Sequence, residues 1–217
     1  MLTKILDDNL LAEQEARKTK VRSGLWNPSA FGQCYRRQVW NRRNVPQSDP
    51  PDIQTLRVFR AGKVFHDMLQ QLIPKSQVEV EITVDDVHGF ADIVTQNEVI
   101  DIKSQNSWAF KLMNKEEFDI TRDKPEHLLQ VCTYAMLLDK PMARMVYINK
   151  DTLEIKEFVV EVEIMASKIW KEIETLKTLW VNEGDPDATP RLYVNKEGAS
   201  RECEYCQFVT KCKGKSF

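Results

Sequence analysis

Residues 78–104 constrain the chain more than any other stretch. "VEVEITV" (78–84) alternates apolar and polar residues strictly. "DDVHG" turns the chain, "FADIV" follows, "TQNE" turns it again, and "VIDIKS" (99–104) completes the run. Period-two alternation between turn-forming residues marks three successive strands, each with one polar face. A turn at Gln96-Asn97 makes opposed residues sum to 193 (94 + 99), so Val94 faces Val99 and Asp92 faces Asp101. Directly opposed side chains share a face, with Cβ atoms about 4.5–5.5 Å apart. Lys103 joins that face because side chains repeat every two residues. Two carboxylates held this close raise each other's pKa unless a cation sits between them. Oxygen ligands favour magnesium or manganese for that cation. On the hairpin alone, Lys103 neutralising the pair on an exposed sheet explains the pattern equally well.

The surrounding elements suggest an α/β (α+β) core. Residues 1–20 read as an exposed amphipathic helix. Ser29 could cap a short helix carrying Cys34, Arg36, Arg37 and Trp40, and "NVPQSDPPD" is a proline-rich loop. Apolar residues recur at helical spacing from Ile53 to Ile73, and Pro74 ends that helix. "RAGKVFH" sets Gly62 and His66 one turn apart on a single face. Residues 105–124 read as a long loop or short helices, and "PEHLLQVCTYAMLLD" as a helix with Pro125 in its first turn. "RMVYINK" and "IKEFVVEVE" form a further hairpin, followed by a helix over roughly 164–180. Helices should therefore pack on a central mixed sheet.

Composition excludes some classes of partner. The 217 residues are 42% hydrophobic and 29% charged with a net charge of −2, so nucleic-acid binding must come from a local patch. No apolar run reaches the roughly 20 residues of a membrane span, and the charged start lacks a signal peptide's apolar stretch. These features suggest a cytoplasmic protein with no membrane partner. Three of the five cysteines lie in "CEYCQFVTKC" as Cys203, Cys206 and Cys212. In a reducing compartment such clustering points to a metal or metal cluster rather than disulfides. Cys132, in an apolar helix, reads as a buried small hydrophobe.

"GKVFH", "GFADIV", "VIDIKS" and "QVCTY", in this order, resemble the PD-(D/E)XK nuclease superfamily and its RecB-like branch. That branch carries a G-x3-H helix, an Asp strand, a (D/E)-x-K strand and a Q-x3-Y helix. Here these are Gly62/His66, Asp92, Asp101/Lys103 and Gln130/Tyr134. Ala91 stands where the superfamily pattern often has proline. One cysteine before the core and C-x2-C-x5-C after it resemble the iron–sulfur nucleases of this branch. Those include CRISPR-associated adaptation nucleases and the nuclease domains of helicase–nucleases.

The resemblance implies a restriction-endonuclease-like core that hydrolyses DNA phosphodiesters at ends or in single strands, as a magnesium- or manganese-dependent exonuclease. His66, Asp92 and Asp101 would hold the metal, with Lys103, Gln130 and Tyr134 as further catalytic residues. It also implies a [4Fe–4S] cluster on Cys34, Cys203, Cys206 and Cys212, although zinc would accept the same four thiolates. The expected organisation is an N-terminal segment (1–51), a nuclease core (52–182) and a cluster-binding segment (183–217), the two end segments packing together. Arg36, Arg37 and Arg60, with Trp40 interleaved, suit DNA, although a solvated basic surface fits too. A CRISPR adaptation integrase or a helicase is the implied protein partner, and an oligomer is compatible. Glu79 and Glu81 read as a solvated sheet face, either of which could touch a second metal. A non-catalytic DNA-binding or assembly subunit and a redox iron–sulfur protein are the rival readings. The absence of G-x4-G-K-[ST] argues against an ATPase in this chain.

Overall fold

The computed structural model describes residues 1–18, 23–182, 184–191 and 201–213. It divides into two compact units. One comprises residues 1–25, 33–63 and 184–217, and the other residues 26–32 and 64–183.

The second unit is built on a five-stranded mixed sheet of order β1-β2-β3-β4-β5. The strands are β1 (Val78–Val84), β2 (Val87–Val94), β3 (Glu98–Gln105), β4 (Met142–Asn149) and β5 (Ile155–Glu161). β1–β2–β3 is the antiparallel meander read from the sequence, and Val94 does pair with Val99. β3 and β4 run parallel. A parallel pair needs a crossover, and residues 106–141 supply it as three helices. These are α4 (Ser107–Leu112), α5 (Ile120–Asp123) and α6 (Pro125–Leu137), numbered after α1 (Leu2–Lys18), α2 (Tyr35–Arg42) and α3 (Ile53–Gln70). β4 is apolar almost throughout and its last five residues are all buried, as expected of a strand covered on both faces.

α6 packs on β3 and β4 beside α7 (Glu163–Val181). On the other sheet face Ile93, Ile102 and Val146 form a buried cluster closed by Leu69, Ile73 and Ile100. Alternation in β3 thus sends Ile100 and Ile102 to one side and Asp101 and Lys103 to the other. Gly89 lies under Tyr134, where an added Cβ would stand 2.3 Å from the tyrosine hydroxyl.

The first unit contains α1, α2, most of α3, and the short helices α8 (Arg201–Glu204) and α9 (Val209–Lys213). Trp40 and Phe208 form its aromatic centre, with ring centroids 5.4 Å apart at 83°. Cys34 is the N-cap residue of α2, whereas in the second unit Asn27, not Ser29, caps a short 3-10 turn at Pro28–Ala30. Among the described residues no helix is long and apolar enough to cross a membrane.

Candidate active site

Asp92 stands where the sheet opens. Paired residues of β2 and β3 sum to 193, as the turn predicts, but the ladder stops at Ile93↔Ile100. Beyond it the Ile102 amide donates to Asp92 Oδ2 (2.7 Å) instead of to backbone. The β1–β2 ladder also skips Asp92. Val78↔Ile93 and Val80↔Ala91 are paired, whereas Glu79, opposite Asp92 in that register, is not. Glu79 adopts a left-handed backbone (φ 50°), a conformation costly for any residue with a Cβ. This departure from extended geometry accompanies a carboxylate placed beside Asp92 rather than along the strand.

His66, Glu79 and Asp92 each offer a ligand atom, all lying within 4.8 Å of one another. His66 Nδ1 is 3.4 Å from Asp92 Oδ2. Burial pulls the His66 pKa down, but Asp92's hydrogen bond and charge outweigh it, and the net shift is upward. Gln70, one turn beyond His66 on α3 and buried, donates to Glu79 Oε1 (2.9 Å) and to the Asp92 carbonyl (3.1 Å). Sequence reasoning overlooked Gln70. Its i+4 spacing from His66 was the available signal. It also favoured a solvated role for Glu79, because nothing in "VEVEITV" announces a positive φ. Glu81 instead meets His88 at 3.1 Å.

Asp101 is buried at 2% exposure, with Lys103 Nζ 2.7 Å from its Oδ2. At that distance the Lys103 ammonium compensates the buried Asp101 carboxylate as a charge-assisted pair. Burial raises the Asp101 pKa to about 6 against the pull of Lys103, with Asp92's charge adding to the rise. Lys103 also donates to Gln130 Oε1 (3.2 Å). Gln130 therefore holds the lysine, while Tyr134, one turn on, lies over Gly89. Of the sequence-derived trio, His66 and Asp92 lie in the group within 4.8 Å. Glu79 is the third member of that group, and Asp101 faces Lys103.

A divalent cation fits this donor set. The His66 imidazole and the Glu79 and Asp92 carboxylates each present a ligand atom, all within 4.8 Å of one another.

In the first unit the four outlying cysteines are electrostatic neighbours. Burial, then the charges of Cys206, Cys34, Glu202 and Cys212, push the Cys203 thiol up. The Cys34 thiol is also raised, chiefly by burial, while the amides of Arg37, Arg36 and Thr189 act against that rise. Arg36 donates to Cys212 Sγ (3.3 Å) and to the Pro186 carbonyl (2.7 Å). Among the described residues, no three cysteine sulfurs lie within 4.8 Å of one another. Cys132 is fully buried in α6, and burial pushes its thiol up to about 12.

The residues expected to meet DNA are differently disposed. Trp40 is 2% exposed and its indole N–H donates to Asp185 (2.7 Å), so its ring is not available for stacking. Arg36 is committed to sulfur and backbone, Arg37 is half-buried, and Arg60 pairs with Glu13.

A family model for the PD-(D/E)XK nuclease superfamily matches residues 10–213. The chain belongs to this superfamily. Among solved structures, SSO0001 superposes with a TM-score of 0.64 at 22% identity, over 100% of this chain and 98% of that one. An alkaline exonuclease from Laribacter hongkongensis gives 0.50 at 14% identity, over 74% and 89% of the two chains. At such identities these likenesses concern the fold. No curated protein matches the chain significantly. The superfamily match spans the strands that carry Asp92 and Asp101 and the terminal cysteine segment alike.

Proposed function

We propose that this protein is a metal-dependent deoxyribonuclease, acting as an exonuclease on DNA ends or single strands. The observation that carries the reading is the convergence of His66, Glu79, Asp92 and the Asp101–Lys103 pair where β2 and β3 separate. His66, Glu79, Asp92 and Asp101 would hold one or two magnesium or manganese ions. The metal would supply Lewis acidity toward the phosphodiester and lower the pKa of water. Lys103, fixed by Asp101 and Gln130, presents a cation for the charge that accumulates on phosphate oxygens. His66 and Gln70 hold Asp92 and Glu79 in place, and Tyr134 fixes the β2 backbone from which Asp92 projects.

The terminal segments, 1–51 and 183–217, are proposed to bind a [4Fe–4S] cluster through Cys34, Cys203, Cys206 and Cys212. Their mutual electrostatic coupling supports a shared metal or cluster on the four thiolates. Protein purified without oxygen should be brown and contain iron. Colourless protein with one equivalent of zinc would replace the cluster with a structural ion. A pathway in CRISPR adaptation, with an integrase or a helicase as partner, and a cytoplasmic location belong to the same proposal. They rest on the ordered motifs and the cysteine spacing.

The activity is tested with linear DNA and purified protein. Magnesium or manganese should support degradation, EDTA should stop it, and Lys103→Ala should abolish it while the fold persists. A Lys103→Ala protein that cleaves at the wild-type rate would remove the catalytic reading and leave the DNA-binding subunit.

A further inference from the structure

The first unit carries a groove of about 800 Å³ between α1, the 44–51 loop and the first three turns of α3. Its floor is apolar, with Leu10 buried and Pro46, Pro50 and Pro51 contributing from the loop. Its rim is cationic. Arg17, Arg60 and Lys63 face it against one carboxylate, Glu13, which pairs with Arg60. Phe59, 56% exposed, lies on the same wall as Lys63 one turn further along α3. This sets a large aromatic ring in water beside cations.

Position along α3 adds a second observation. Phe59 and Lys63 are four residues apart, which places them on one face of the helix, so a ring and a cation stand side by side on the groove wall.

We propose that this groove binds a single nucleic-acid strand, with a base stacked on Phe59 and phosphates on Arg17 and Lys63. The proposal rests on the nuclease reading and deepens it by naming where the substrate strand is held. A duplex keeps its bases paired and offers Phe59 no open π face, whereas a single strand offers both a face and a phosphate at each step. The excess of cations on the rim selects against a basic or neutral peptide and for a polyanion.

The test uses the full-length chain carrying Asp101→Asn, so that binding is read without cleavage. A fluorescein-labelled oligothymidylate of about 15 nucleotides is titrated by anisotropy across a range of salt concentrations. Phe59→Ala should weaken binding about tenfold with the salt slope unchanged, because stacking carries no charge. Lys63→Ala should lower the log–log salt slope by about 0.7, one phosphate contact on a single strand. Val58→Ala, on the neighbouring exposed face of the same helix, should change neither. Parental affinity and slope in both groove variants would overturn the groove assignment while leaving wild-type cleavage, and so the nuclease reading, intact. If wild type neither binds nor cuts DNA, both fall. If Phe59→Ala weakens a charge-matched poly-glutamate peptide as much as the oligonucleotide, the groove is a general anion surface and the strand assignment fails.

Discussion

Gly89→Ala perturbs the fold at the point where the Q-x3-Y helix meets the sheet. A Cβ there would lie 2.3 Å from Tyr134 Oη, 2.9 Å from Cε1 and 3.0 Å from Cζ, where ordinary contacts begin near 3.4 Å. Gly89 is not among the glycines with positive φ, so alanine adds no backbone strain and the whole penalty is steric. Tyr134 is 2% exposed in the middle of α6, with no open space into which its ring can swing. Overpacking of this kind costs about 1–3 kcal/mol. Displacing the hydroxyl from the Phe90 amide that faces it adds roughly 1 kcal/mol. Equilibrium urea unfolding of the metal-free protein should therefore show a loss of about 2–4 kcal/mol. Tyr134→Phe removes the 2.3 Å contact but leaves the two ring contacts. The double variant should thus be more stable than the sum of the single effects by about 1 kcal/mol. A loss below about 0.5 kcal/mol for Gly89→Ala, or strict additivity in the cycle, would refute the packing argument.

Other outcomes follow from single residues. Glu79→Gly should be more stable than Glu79→Ala by about 1 kcal/mol by urea unfolding, because only glycine relieves the left-handed backbone; equal stabilities would deny the strain. Asp101 has a folded pKa raised to about 6, so in EDTA its contribution is fully present below its ordinary value near 4 and is lost as pH rises through 6. The stability of wild type relative to Asp101→Asn should fall across that window, while the lost Lys103 ion pair adds an offset. A flat difference from pH 4 to 7 would contradict the raised pKa. Cys203→Ser should bleach the anaerobically purified protein and weaken DNA binding, whereas Cys132→Ser, buried in α6, should keep the colour and lose only packing energy; the reverse pattern would overturn the ligand assignment.

Much of this arrangement is legible in the residues, and the illegible parts share a physical cause. The turn at Gln96-Asn97 set the β2–β3 register because a two-residue period leaves little freedom once the turn is placed. Lys103 meeting Gln130 follows from the motif order, and Pro125 opens α6 as its missing N–H permits. Features that break a local rule stay hidden. Strand alternation assigns Glu79 to a solvated face, and only its positive φ turns it toward Asp92. The opening of the ladder beyond Ile93 likewise comes from a side chain competing for the Ile102 amide, which no periodicity encodes. Trp40 among arginines reads equally as a stacking platform or a core residue, and Asp185, remote in sequence, decides for the core. Residues 19–22, 183, 192–200 and 214–217 lie outside the described structure, so the expected cluster-binding segment is seen only in part.

Manganese binding measured by calorimetry on protein purified without oxygen tests the central claim most directly. Wild type should bind one or two ions, Asp92→Asn should weaken binding by at least about tenfold, and His66→Ala and Glu79→Gln by smaller factors, as loss of ligands or of their supports predicts. Manganese bound equally well by wild type and Asp92→Asn would place the metal elsewhere and contradict the account.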